Sequence, residues 1–180
     1  MRTPPVLNPP APSLIEVEIS DTQSHLAVDP DWLANLVRTT LALEGVERAA
    51  ISVAVVDDAS IRVINARHLS HDWATDVISF PMSDEGVAEL TGELVVSAEM
   101  AVRTAVEARC EPTEELALYL VHGLLHLCGY DDQAAEDVAV IRGREATVLG
   151  LLGIENPFCR VGPLPAMSDD SGRESVRWPR

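Results

Sequence analysis

The sequence predicts an α/β (α+β) fold: a single small domain with a mixed sheet of about four strands covered by helices. Three observations predict it. Segments with a two-residue apolar period alternate along the chain with segments of helical period. The strand segments are few and short. The chain has 180 residues, 47% hydrophobic and 23% charged, enough to bury one core without disulfides or a structural metal. A bound metal is therefore expected to serve function rather than hold the fold.

Residues 1–13, MRTPPVLNPPAPS, carry five prolines and are expected to form a disordered arm. They lack the apolar stretch of a secretory signal. LIEVEIS (14–20) alternates apolar and polar residues as a strand does. Asp29-Pro30 is an N-cap followed by an N1 proline, opening a helix through Glu44 that Gly45 closes. AISVAVVDD (50–58) is β-branched and reads as a buried strand; SIRVINARH (60–68) reads as a short helix. TDVISFP (75–81) is a strand stopped by Pro81, SDEGVAELTG a loop, and ELVVS (93–97) a further strand. Ser97 caps the helix AEMAVRTAVEARC, and Pro112-Thr113 opens EELALYLVHGLLHLC, which Gly129 ends. Asp132 or Gln133 begins a last helix through about Leu149. Residues 162–180 read as a disordered tail whose charges cancel, so the acidity belongs to one folded domain, 14–161. The strand order does not follow from these patterns.

The net charge is −16 and all 13 basic residues are arginine. This disfavours a basic-surface nucleic-acid binder, DNA included, and a polybasic membrane anchor. No stretch reaches the ~18–20 apolar residues of a membrane helix. Cys110, Cys128 and Cys159 are odd in number, widely spaced and without C-x-x-C, which fits a reducing, cytoplasmic setting.

The chemistry is concentrated in YLVHGLLHLCGYDD (119–132). His122 and His126 stand four apart on a helix, so both imidazoles leave one face about 6 Å apart along the axis. That suits two ligands of one metal ion; the plain alternative is a hydrogen-bonded pair of core histidines. Gly129 turns the chain, and Asp132, six residues past His126, can swing back as a third ligand. Asp131, His68 and His71 are competing third ligands. Cys128 lies ~200° around the helix from His126 and is read as packing. Gly123 stands where zincin proteases carry a glutamate, so peptide hydrolysis by that mechanism is disfavoured.

HGLLHLCGYDD (122–132) resembles the signature of the YbeY family of bacterial rRNA-maturation endoribonucleases, H-G-x-L-H-L-x-G-Y-D-H. Ile64-Asn65 followed by HDWATDVISFP resembles that family's T-D-V-L-S-F-P block, and TGELVVS (91–97) its G-D-I-x-I-S strand. The blocks come in the family's order, and the resemblance spans about residues 15–158. It implies a metal-dependent single-strand endoribonuclease of 16S rRNA 3′-end maturation and ribosome quality control. Its partners would be precursor rRNA and the small ribosomal subunit or its proteins. A non-catalytic alternative is a metal-stabilised assembly factor that binds a ribosomal protein or a GTPase. His122 and His126 take the first two ligand positions, and Asp132 stands where the family has a third histidine. The ion implied is zinc. The carboxylate lowers the charge left on it, which points to a more alkaline pH optimum and readier acceptance of manganese or iron. Beside His122, Asp131 and the bound water itself are the candidates for proton transfer, and the sequence does not choose between them. The family's arginine position holds Leu69, and Arg67, two residues away, is the candidate for neutralising phosphate. Asp76 and Ser79 are read as possible cleft residues; Trp32, Trp73 and Tyr130 are read as packing, with base stacking as the functional alternative.

Overall fold

Four strands form where β-branched and apolar residues alternate, and four of the five helices begin at a residue that can cap them. In the computed structural model, which describes residues 14–84 and 88–155, the strands are β1 (Leu14–Asp21), β2 (Arg48–Val56), β3 (Val77–Pro81) and β4 (Leu90–Ser97). The helices are α1 (Pro30–Leu43), α2 (Asp58–Leu69), α3 (Ala98–Ala108), α4 (Pro112–Leu127) and α5 (Ala135–Leu151). The expected N-terminal arm, the expected tail and residues 156–161 of the expected domain lie outside the described residues.

The sheet runs β1-β2-β4-β3, with β1, β2 and β4 parallel and β3 antiparallel to β4. It is therefore mixed and four-stranded, as expected. The period-two alternation sends Ile15, Ile51, Val53, Val55, Val77, Leu94 and Val96 into one large core beneath α1, α3, α4 and α5. The opposite face holds a smaller cluster, Val56, Ile78 and Val95, under Ile61 of α2. Beyond α2 that face carries Glu18, Ser52 and Glu93 side by side on neighbouring strands.

Asp29 accepts from the amides of Asp31 and Trp32 to start α1, and Ser97 accepts from Met100 to start α3. Pro112 begins α4, where Glu114 reaches back to the amide of Glu111 at 3.0 Å. Several boundaries differ from expectation: β2 runs 48–56 rather than 50–58, α2 starts at Asp58 rather than 60 and β3 starts at Val77 rather than 75, and three others have a local cause. β4 starts at Leu90 rather than 93, running through Gly92. A Cβ at Gly92 would lie 2.7 Å from Leu127 Cδ1, so the glycine lets the end of α4 sit on the strand. α3 stops at Ala108 because Arg109 turns into the left-handed region, φ 57°. α5 starts at Ala135, because Asp131 takes the amides of Asp132 and Gln133 on its own carboxylate. Among the described residues no helix is long and apolar enough to cross a membrane.

Candidate metal centre

The site lies at the C-terminal end of α4, the most deeply buried helix. Gly123 sets how closely this helix meets the sheet. A Cβ there would sit 2.9 Å from both Leu94 Cδ2 and Ser79 Oγ, and the Ser79 hydroxyl donates to the Gly123 carbonyl at 3.1 Å. Ser79 therefore pins α4 to β3 rather than lining an open cleft. With α4 fixed, His122 and His126 emerge together on the side facing α5 and the following turn. Gly129, at φ +95°, reverses the chain as the spacing predicted. Asp132 comes back toward both rings.

Nε2 of His122 lies 3.0 Å from Nε2 of His126, and Asp132 Oδ2 is 3.9 Å from each. One donor atom from each of the three lies within 4.8 Å of the others, the only such group of three among the described residues. The two rings are perpendicular, with centroids 4.5 Å apart. Each Nδ1 is engaged outward. That of His122 meets Glu145 Oε1 at 2.7 Å, and that of His126 donates to the Tyr130 carbonyl at 2.9 Å. A carbonyl only accepts, so the proton of His126 is on Nδ1, and the carboxylate of Glu145 selects the same tautomer for His122. With both rings neutral each Nε2 presents a lone pair; a proton on His122 Nε2 turns the 3.0 Å contact into a hydrogen bond to His126. Two lone pairs and a carboxylate oxygen facing one another repel unless a positive charge lies among them. Two imidazoles and one carboxylate form a recognised donor set for a divalent transition metal, so the residues present fit such an ion.

The electrostatics favour one positive charge at the pair. Burial works against a charge on His122, but the hydrogen bond and charge of Glu145, helped by Asp76 and Asp132, outweigh it and raise its pKa. His126 moves oppositely: burial and then the charge of His122 lower its pKa, against the Tyr130 carbonyl, Asp132 and Asp131. Burial, with the nearby charge of Glu44, pushes the Cys128 thiol up to about 12, consistent with packing.

The structure brings together His122, His126 and Asp132 and does not join the other candidates to them. Asp131 is exposed and its Oδ1 caps the turn. His68 packs edge-on against Phe80, and His71 stacks on Trp73 at 4.4 Å, both on the α2 side of the sheet. Arg67 is exposed on α2 beside a surface groove with Arg62 and Asp72. Asp76 acts electrostatically on His122 while its Oδ1 accepts from Thr75 and Val77. Two residues of the site were missed by sequence reasoning. Glu145 is 2% exposed, and its position on the buried stripe Ile141, Glu145, Val148, Leu149 was the available signal: a carboxylate where helical spacing calls for an apolar residue. Glu44 gives no such signal. It accepts from the Tyr130 hydroxyl at 2.9 Å and from Arg144 Nε at 2.6 Å, linking the turn to α1 and α5.

The sequence profile described as Endoribonuclease YbeY matches residues 18–153. A protein of that name from Rhodopirellula baltica is 43% identical over 141 residues, covering 77% of this chain and 72% of its own. Another from Carboxydothermus hydrogenoformans is 34% identical over 141 residues, covering 77% of this chain and 98% of its own. The solution structure of TM1509 from Thermotoga maritima superposes with a TM-score of 0.55 at 22% identity, over 86% of this chain and all of that one, a likeness of fold.

Proposed function

The chain belongs to the Endoribonuclease YbeY family, and from that premise we propose that it is a metal-dependent, single-strand-specific endoribonuclease acting in 16S rRNA 3′-end maturation and ribosome quality control. The observation that carries this reading is the convergence of His122 Nε2, His126 Nε2 and Asp132 Oδ2 in a chain of this family. We assign the ion as Zn2+, with manganese or iron as substitutes that the carboxylate makes acceptable.

When bound, the ion supplies Lewis acidity toward a phosphodiester and its attacking water. The residues do the rest. His122 and His126 hold their Nε2 lone pairs toward the ion, and Asp132 adds the oxygen donor. Asp131 has its Oδ1 in the turn, and Oδ2 is the atom proposed to take the proton of the attacking water. Hydrolysis then breaks one P–O bond and passes a proton to the leaving oxygen. Arg67 is proposed to meet a phosphate further along the strand, from the exposed side of α2. A chain of net charge −16 gains little long-range attraction to RNA. Delivery by a protein of the small ribosomal subunit, in the cytoplasm, is the arrangement that fits.

The test is cleavage of a short single-stranded RNA by chelator-stripped protein and by the same protein reloaded with Zn2+. A matching duplex and a generic phosphodiester serve as comparison substrates. Cleavage restored by the ion and confined to single strands is the expected result. A reloaded protein that binds the ion and cuts no RNA overturns the enzymatic reading in favour of a non-catalytic assembly role. Cleavage of the generic ester alone points to a hydrolase of another substrate.

A further inference from the structure

The two imidazoles of the site are braced from outside by adjacent residues of one helix. Glu145, on α5, reaches His122 Nδ1 directly at 2.7 Å. Its other oxygen, Oε2, is buried with no hydrogen-bond partner among the described residues; it forms a long ion pair, 3.9 Å, with the exposed Arg142 one turn earlier on α5. A carboxylate kept for the stability of the helix would have its lone pairs satisfied, because an unsatisfied buried acceptor costs about 1–3 kcal/mol and a charged one more. Glu145 makes one hydrogen bond, and that bond is to a metal-site ring.

The preceding residue braces the other ring by a longer route. Arg144 donates from Nε to Glu44 Oε1 at 2.6 Å and from its guanidinium to the Leu43 carbonyl at 2.7 Å. Glu44 Oε2 accepts the Tyr130 hydroxyl at 2.9 Å, and the Tyr130 carbonyl accepts from His126 Nδ1. The end of α1, the start of α5's last two turns and the turn after α4 are thereby tied together at the carbonyl that orients His126.

We propose that the Arg144–Glu145 pair of α5 positions both imidazoles of the metal site, Glu145 by holding His122 directly and Arg144 by holding, through Glu44 and Tyr130, the carbonyl that holds His126. These are positioning residues: they touch neither the ion nor the substrate, and they act by fixing tautomer and ring orientation. The proposal rests on the reading of His122, His126 and Asp132 as ligands. Loss of such an outer partner costs roughly 10–100-fold in metal affinity.

The experiment is the Zn2+ dissociation constant of the full chain, by competition with a chromophoric chelator, for wild type, Glu145→Ala, Glu145→Gln and Tyr130→Phe. The melting temperature of each chelator-stripped protein is measured alongside. Glu145→Ala is expected to weaken Zn2+ binding roughly 10–100-fold while the stripped protein melts near the wild-type temperature. Glu145→Gln, which keeps an acceptor oxygen for Nδ1, is expected to recover most of that loss. Tyr130→Phe, which cuts the longer route, is expected to cost less than Glu145→Ala. Glu145→Ala binding as tightly as wild type overturns the proposal, as does an affinity loss that Glu145→Gln does not ease. Failure of the wild type itself to bind Zn2+, manganese or iron overturns the ligand reading and this proposal with it, a result distinct from intact binding in the variants.

Discussion

Helices α4 and α2 cover the same two strands, β3 and β4, from opposite sides, and they do so in different ways. α4 buries 11 of its 16 residues, whereas α2 buries two of its 12, Ile61 and Asn65. The first is therefore fixed along its whole length by core contacts, and groups at its end keep one geometry. The second is anchored at two points and leaves Val63 and Arg67 in solvent. Asn65 spends its Nδ2 on the Trp73 carbonyl at 2.9 Å, holding the loop into β3 rather than the sheet. A centre that must hold two rings within ångströms belongs on the first kind of helix, and a charged or variable surface belongs on the second.

The contrast is tested hardest at the ligands. Replacing His122 and His126 together by alanine is expected to bring metal content to background and abolish RNA cleavage, measured by elemental analysis and a gel assay. Retained cleavage would put the chemistry elsewhere, with the α2 side the first place to look. The next largest effect concerns packing. Leu124→Ala on α4 is expected to cost about 2–5 kcal/mol of folding stability in a denaturant titration, while Val63→Ala on α2 stays within about 0.5 kcal/mol. Equal losses at the two sites would erase the distinction between the helices. Gly123→Ala should fall between them, at about 1–3 kcal/mol, since its methyl has to displace Leu94 and Ser79. Arg67→Ala is expected to leave stability unchanged and to lower the salt slope of RNA binding by about one ion, seen in binding at several salt concentrations. The smallest effect is at Cys128, where alanine should leave metal stoichiometry as in wild type, because the half-buried thiol is not a donor.

The same contrast explains what could be read from the chain alone. The start of α1 was legible in Asp29-Pro30, that of α3 in Ser97 and that of α4 in Pro112, since capping is local chemistry. His122, His126 and Asp132 were legible because one helical turn and one glycine reversal fix them within eleven residues. The sheet order was not, because β3 reaches the far edge through contacts that no short window contains. Glu145 was missed for a related reason. It is 23 residues from the ring it holds, and its only trace is a charged residue in an apolar stripe. Asp131, adjacent to Asp132, could not be separated from it by spacing; the turn gives one the amides and the other the rings.

One detail of that turn has a genetic consequence. His126 is steered by a main-chain oxygen, that of Tyr130, whereas His122 is steered by a side chain. A mutation can delete a side chain but not a peptide carbonyl. Alanine scanning would expose the support of His122 directly and that of His126 only indirectly, through the side chains of Tyr130, Glu44 and Arg144. Changes that redirect the backbone, such as a β-branched residue at Gly129, would be needed to take the oxygen itself away.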